Sequence, residues 1–138
     1  MGMGELHYVW QKMTLFENNT IIFTLFFWEH LLHMGKSKYI VSVLQLNLNN
    51  TPENNLKKCV EWVKKAAAKG AEVISLPELY SSHYFCQSED TENFAYAEPL
   101  YSTSFEAFSA LAKELGVVII VPFFEKRMAG VYHNSAYI

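Results

Sequence analysis

Apolar positions along this chain recur with two different periods, and the switches between them lay out its elements. Tyr39 to Asn47 is rich in Val, Ile and Leu, the composition of a strand buried on both faces. Thr51-Pro52-Glu53 then carries the chemistry of a helix start: a capping hydroxyl, a proline where no donor is needed, and an acid in the first turn. Leu56, Cys59, Val60, Val63 and Ala67 follow on one helical face, with lysines and Glu61 largely on the other, and Lys69-Gly70 marks the end. Val73 to Leu76 reads as a second buried strand, stopped by Pro77, which offers no backbone donor. Residues 79–101 carry no period and predict a long loop, a feature that inside compact domains is usually functional. Ser104 is the expected cap of a second amphipathic helix, with Phe105, Phe108, Leu111, Ala112 and Leu115 inward and Gly116 at its end. Val117 to Val121 predicts a third buried strand closed by Pro122. Residues 123–128 and 131–138 then flank Ala129-Gly130 as a hairpin. Strands alternating with helices in this way predict an α/β fold with a parallel sheet and right-handed crossovers.

Residues 1–37 break that pattern. The apolar run from Ile21 to Trp28 is interrupted only by Thr24, and Glu29 and His30 end it. A membrane span needs roughly 20 apolar residues, so the run is too short. Glu5 and Glu17, with no small-residue cleavage site after the run, argue against a signal peptide. We read 1–37 as an atypical leader outside the domain, with upstream sequence ahead of Met34 preferred over an appended helix packed on it. Residues 38–138 are read as the domain itself. Hydrophobic content of 51% against 18% charged residues fits a packed chain of 138 residues. A net charge of −3 gives no electrostatic footprint for nucleic acid or an anionic membrane. Cys59 and Cys86 have neither CxxC nor metal spacing, and the five histidines show no HxH or HExxH. No metal is expected, and the reducing cytoplasm is the simplest home.

The chemistry starts at Glu78. It follows a buried strand directly, and in open α/β sheets ligands gather at the carboxyl ends of strands. On position alone it is equally well an ordinary solvated acid. The neighbouring segments change that balance. Gly70-Ala71, Leu76-Pro-Glu-Leu79, Tyr84-Phe-Cys-Gln87 with Glu89-Asp90, Phe123-Phe-Glu-Lys126 and Tyr132-His-Asn-Ser135, in that order, resemble the nitrilase superfamily of carbon–nitrogen hydrolases. Within it the similarity points to the N-carbamoylputrescine amidohydrolase branch, and so to polyamine biosynthesis.

The resemblance implies an αββα sandwich, of which this chain would form the N-terminal portion. It implies a Cys nucleophile, a Glu general base and a Lys that meets the developing oxyanion, with no cofactor. It makes Glu78 the base and suggests Tyr80 and Tyr84 as substrate contacts, because they follow Glu78 along the loop. Covering the sheet edge would explain both tyrosines equally well. The family's Lys lies in a Tyr-Arg-Lys-type segment after a hairpin strand like 131–138, and its nucleophile in a later Cys-Trp-type motif. Neither is expected before Ile138. Cys86 lies eight residues after Glu78, yet only His83 nearby could lower its pKa, so it is not the expected nucleophile. Cys59, on the helical apolar stripe, is expected to be a core thiol. Glu125 and Asn134, on facing hairpin strands, could bond to each other behind the site or simply touch across the strands. The implied partner is a small linear amide or carbamoyl amine, in a family that forms homo-oligomers. The alternative is a non-catalytic α/β binding module or a truncated product without activity.

Overall fold

The computed structural model describes residues 9–16, 20–26, 38–49 and 51–138. Among these, six strands and two α-helices form one sheet with its helices: β1 (Val9–Phe16), β2 (Thr20–Phe26), β3 (Ile40–Gln45), α1 (Pro52–Ala68), β4 (Val73–Ser75), α2 (Thr103–Leu115), β5 (Val118–Met128) and β6 (Val131–Tyr137). The strands lie in the sheet in their chain order. β3, β4 and β5 are parallel, while β6 returns antiparallel to β5. This is the α/β alternation read from the sequence, the N-terminal portion of a nitrilase-like αββα sandwich.

Each helix begins where its side chains can satisfy free N–H groups. The Thr51 hydroxyl accepts from the Asn54 N–H at 3.4 Å, and Pro52 occupies the first turn. α1 buries Asn55, Cys59, Val63 and Ala66, with Leu56, Val60 and Ala67 half-buried beside them. The cap of α2 is Ser102, not Ser104: Ser102 has extended backbone, and its hydroxyl accepts from the Phe105 N–H. Ser104 is already inside the first turn, buried, and its hydroxyl is used elsewhere. Gly116 ends α2 with φ of 65°, a left-handed conformation that glycine adopts without a Cβ penalty.

Pro122 does not close β5. The ladder to β4 ends at Ser75↔Ile120, and pairing with β6 starts at Val121↔Tyr137. Pro122 therefore sits where the strand changes neighbours, and its missing N–H breaks no bond to β4. Leu44, Ile74, Ile119, Val121 and Phe123 face Cys59, Val63, Phe108 and Leu111 of the helices in one core cluster. The alternate residues Val41, Val43, Val73, Ile120, Pro122 and Phe124 point to the other face and are half-buried.

Ile21–Phe26, part of the run read as leader, pairs antiparallel with β3 from Ile21↔Gln45 to Phe26↔Ile40. The element appended there is a strand, not the helix weighed as an alternative; Phe27 and Trp28 of that run lie outside the described residues. We propose that residues 1–33 are dispensable for the core, because the α/β pattern of the sequence begins only after them. A chain starting at Met34 should keep its cooperative thermal unfolding. Loss of that cooperativity on deletion would show that the leader is part of the fold.

Candidate active site

The local backbone decides where Glu78 points. Leu76 is buried, and its N–H donates to Ile120 O at 3.0 Å, the last tie to the sheet. Pro77 fixes its own φ and ends the strand. Leu79 then takes φ of 53°, the left-handed region that a bulky residue enters only at a cost of about 1–3 kcal/mol. Leu79 and Tyr80 are both buried, so that cost is met by core packing. The Ser82 N–H closes the bend on Leu79 O at 3.0 Å. The tight reversal sends Leu79 inward and leaves the Glu78 side chain outside the core.

A cavity of about 470 Å³ opens at this point, between residues 45–49 at the end of β3 and Pro77, Glu78, Ser82, His83 and Tyr84 beyond β4. It lies at the carboxyl ends of adjacent parallel strands. Its two walls are joined by buried Asn55, whose Nδ2 donates to Leu48 O at 3.1 Å and to Ser81 O at 3.2 Å. Lys58 Nζ donates to Asn47 O at 2.7 Å from the same helix. At the wall, Glu78 Oε1 accepts from Asn134 Nδ2 at 2.6 Å, a contact spanning 56 positions of sequence. Among the described residues no group of three or more His, Cys, Asp or Glu could hold a metal ion. No described helix is long and apolar enough to cross a membrane.

The two tyrosines suggested by the sequence part company. Tyr84 is 52% exposed at the cavity, where the Cys86 side chain, and after it the Glu78 carboxylate, push its hydroxyl above the ordinary tyrosine pKa. Tyr80 is 1% exposed and packs edge-on against Phe108 at 5.4 Å. Its hydroxyl donates to Glu98 Oε1 at 3.4 Å, and burial raises its pKa strongly. Ser104 Oγ donates to the other oxygen of Glu98 at 2.6 Å, and Tyr137 reaches Ser104 at 3.5 Å. Glu98 also bridges to β5 through its backbone, accepting from the Lys126 N–H and donating to Phe124 O. This network fastens the long loop to α2 and the hairpin, and nothing in the pattern of the loop announced it. Asn55 was legible in principle, since it lies four residues before Cys59 on the same helical stripe.

Glu125 and Asn134 do not bond to each other. Asn134 is paired with Phe124 and Glu125 with His133, so alternation puts the two side chains on opposite faces of the hairpin. Glu125 instead accepts from Ser135 Oγ at 2.6 Å and from Arg127 at 3.1 and 3.2 Å. The Ser135 hydrogen bond first, and Arg127 second, hold its carboxyl below the ordinary pKa. A depressed carboxylate stabilises the fold above its unfolded pKa, and that contribution disappears as pH falls through the folded value. Glu125→Gln should therefore flatten the loss of stability below about pH 4, followed by urea unfolding at stepped pH. An unchanged acid slope would remove Glu125 from the account.

Neither thiol is in a disulfide. Cys59 is fully buried, and desolvation pushes its pKa up to about 12 against a small opposing pull from Lys58. Cys86 is exposed beside Tyr84. A thiol-reactive disulfide reagent should modify one cysteine in the native protein, Cys86, and reach Cys59 only after denaturant is added. Two fast equivalents in the native state would contradict this packing of α1.

Residues 40–138 match the carbon-nitrogen hydrolase family. An N-carbamoylputrescine amidase from Arabidopsis thaliana is 36% identical over 104 residues, covering 75% of this chain and 35% of that protein. A citrullinase from Francisella tularensis is 32% identical over 99 residues, covering 71% and 35%. A crystal structure of a carbon-nitrogen hydrolase from Helicobacter pylori G27 superposes with a TM-score of 0.63 at 35% identity, over 70% of this chain and 33% of that one. The chain thus spans about a third of the length of these relatives. The matched residues include β3 to β6, both helices and the cavity beside Glu78, and the chain belongs to the carbon-nitrogen hydrolase family.

Proposed function

We propose that this chain supplies the general-base side of a carbon–nitrogen hydrolase site, with Glu78 as the base. The supporting observation is the Glu78 carboxylate at the cavity wall, held on one oxygen by Asn134 at 2.6 Å. In the family's chemistry a cysteine thiol gives its proton to such a carboxylate and attacks the carbonyl carbon. The C–N bond breaks as the proton returns to the leaving nitrogen, and the base then takes a proton from the water that cleaves the thioester. The nucleophile and the oxyanion lysine belong to segments that the resemblance puts after a strand like β6. Tyr84 is the substrate contact in this reading. Tyr80, with its hydroxyl on Glu98, serves by holding the loop.

The substrate we favour is a linear amide or carbamoyl amine, with N-carbamoylputrescine first. One water would convert it to putrescine, ammonia and carbon dioxide. A cavity of about 470 Å³ suits a small molecule, and Gln45, Asn47 and Asn49 bring amide groups that can pair with a urea. A reducing cytoplasm and assembly into homo-oligomers are proposed with it, the first on two free thiols. The test is ligand-observed NMR with N-carbamoylputrescine and simple amides on this chain. Ammonia release is then measured from a polypeptide continued through the lysine and cysteine segments. Binding with turnover supports the proposal. Binding without turnover would favour the non-catalytic module, and absence of both would overturn the assignment of the cavity.

A further inference from the structure

We propose that Asn134 is a positioning residue for Glu78, an inference that rests on the reading of Glu78 as base and adds a member to its site. Glu78 is exposed, and an exposed glutamate ordinarily samples several rotamers. Here its backbone is fixed between Pro77 and the left-handed Leu79. The Asn134 amide can only donate through Nδ2, so Glu78 Oε1 must accept, and among the described residues Oε2 has no hydrogen-bond partner. The other end of the contact is equally fixed. β6 is paired along its length with β5, and the next residue, Ser135, is tied through its hydroxyl to Glu125 on the opposite face. Two rigid elements thus meet at one short, charge-assisted hydrogen bond that selects a single carboxylate rotamer. The hairpin, distant in sequence, sets the direction of the acid.

Two measurements test it. In this chain, the Glu78 carboxyl signal is followed through pH by NMR with labelled glutamate, assigned by its loss in Glu78→Gln. His83 and Tyr84, which line the cavity with Glu78, and Cys86, which acts on Tyr84 from its own side, are unchanged in every variant. Asn134→Asp places a second carboxylate against the first, and two carboxylates at that range share a proton. The Glu78 signal should then protonate at a pH higher by about one unit or more. An unshifted signal would mean that the contact is not made, and the proposal would fall. In the continued polypeptide, Asn134→Ala should lower kcat by about 10–100-fold with KM nearly constant, the pattern of a misaimed base rather than a weakened pocket. Full kcat in Asn134→Ala, with Glu78→Gln inactive, would overturn the positioning role and leave the base standing. Full turnover in Glu78→Gln would overturn the base itself.

Discussion

Glu78→Gln is expected to lower turnover by about 10²–10⁴, or about 3–5 kcal/mol of barrier, in a polypeptide carrying the family's lysine and cysteine segments. Glutamine keeps the size of the side chain, and its amide oxygen can still accept from Asn134, so the wall of the cavity is retained. What it lacks is basicity. Thermal unfolding should therefore be nearly unchanged while kcat collapses. Cys86→Ser in the same background should leave kcat close to the parent value, because that thiol is exposed on the loop and the resemblance puts the nucleophile in a later Cys-Trp-type segment. A Gln variant with near-full turnover would return Glu78 to the role of a solvated acid. Activity that disappears with Cys86 would relocate the nucleophile to the loop.

The largest stability effect is expected at Phe108. It is 1% exposed in the core between α2 and the sheet, and Tyr80 rests its ring edge-on against it at 5.4 Å. Phe108→Ala should cost about 3–5 kcal/mol, a large share of the roughly 5–15 kcal/mol that holds a typical domain together. The consequence reaches the site, because Tyr80 is two residues from Glu78 and would lose the surface it leans on. Phe108→Leu should recover most of the loss by refilling the volume. Chemical denaturation of the two variants decides the point. A cost below about 1 kcal/mol for the alanine would mean that the surrounding core collapses into the gap without strain.

The elements were legible wherever one physical signal dominated. Continuous β-branched runs marked β3 and β4, and Thr51-Pro52 and Gly116 marked helix ends through capping chemistry that depends only on neighbours in sequence. Errors came where tertiary contact took over. Ser104 resembles a cap, but its hydroxyl belongs to Glu98. Pro122 resembles a stop, but β5 changes partners there and continues. At the site, the place of Glu78 at a strand end was readable from Pro77 and the preceding apolar run. Its bond to Asn134 was not, because it joins elements 56 residues apart and depends on which hairpin face each residue takes. Tyr80 and Tyr84 looked equivalent for a similar reason. The left-handed turn at Leu79, which sends one inward, is carried by a leucine and so gives no glycine signal.

The order of strands in the sheet, identical to their order in the chain, also bears on how the molecule is made. Each strand finds its partner in the one synthesised just before it, so the sheet can grow from one edge as the polypeptide leaves the ribosome, with no strand waiting for a distant mate. β3, α1 and β4 can close as a first unit, and α2, β5 and β6 add to its free edge. The bond from Asn134 to Glu78 can form only after the hairpin has been added. The acid is therefore aimed only once the hairpin is in place, and a nascent chain stalled before the hairpin would hold a folded wall with an unaimed carboxylate.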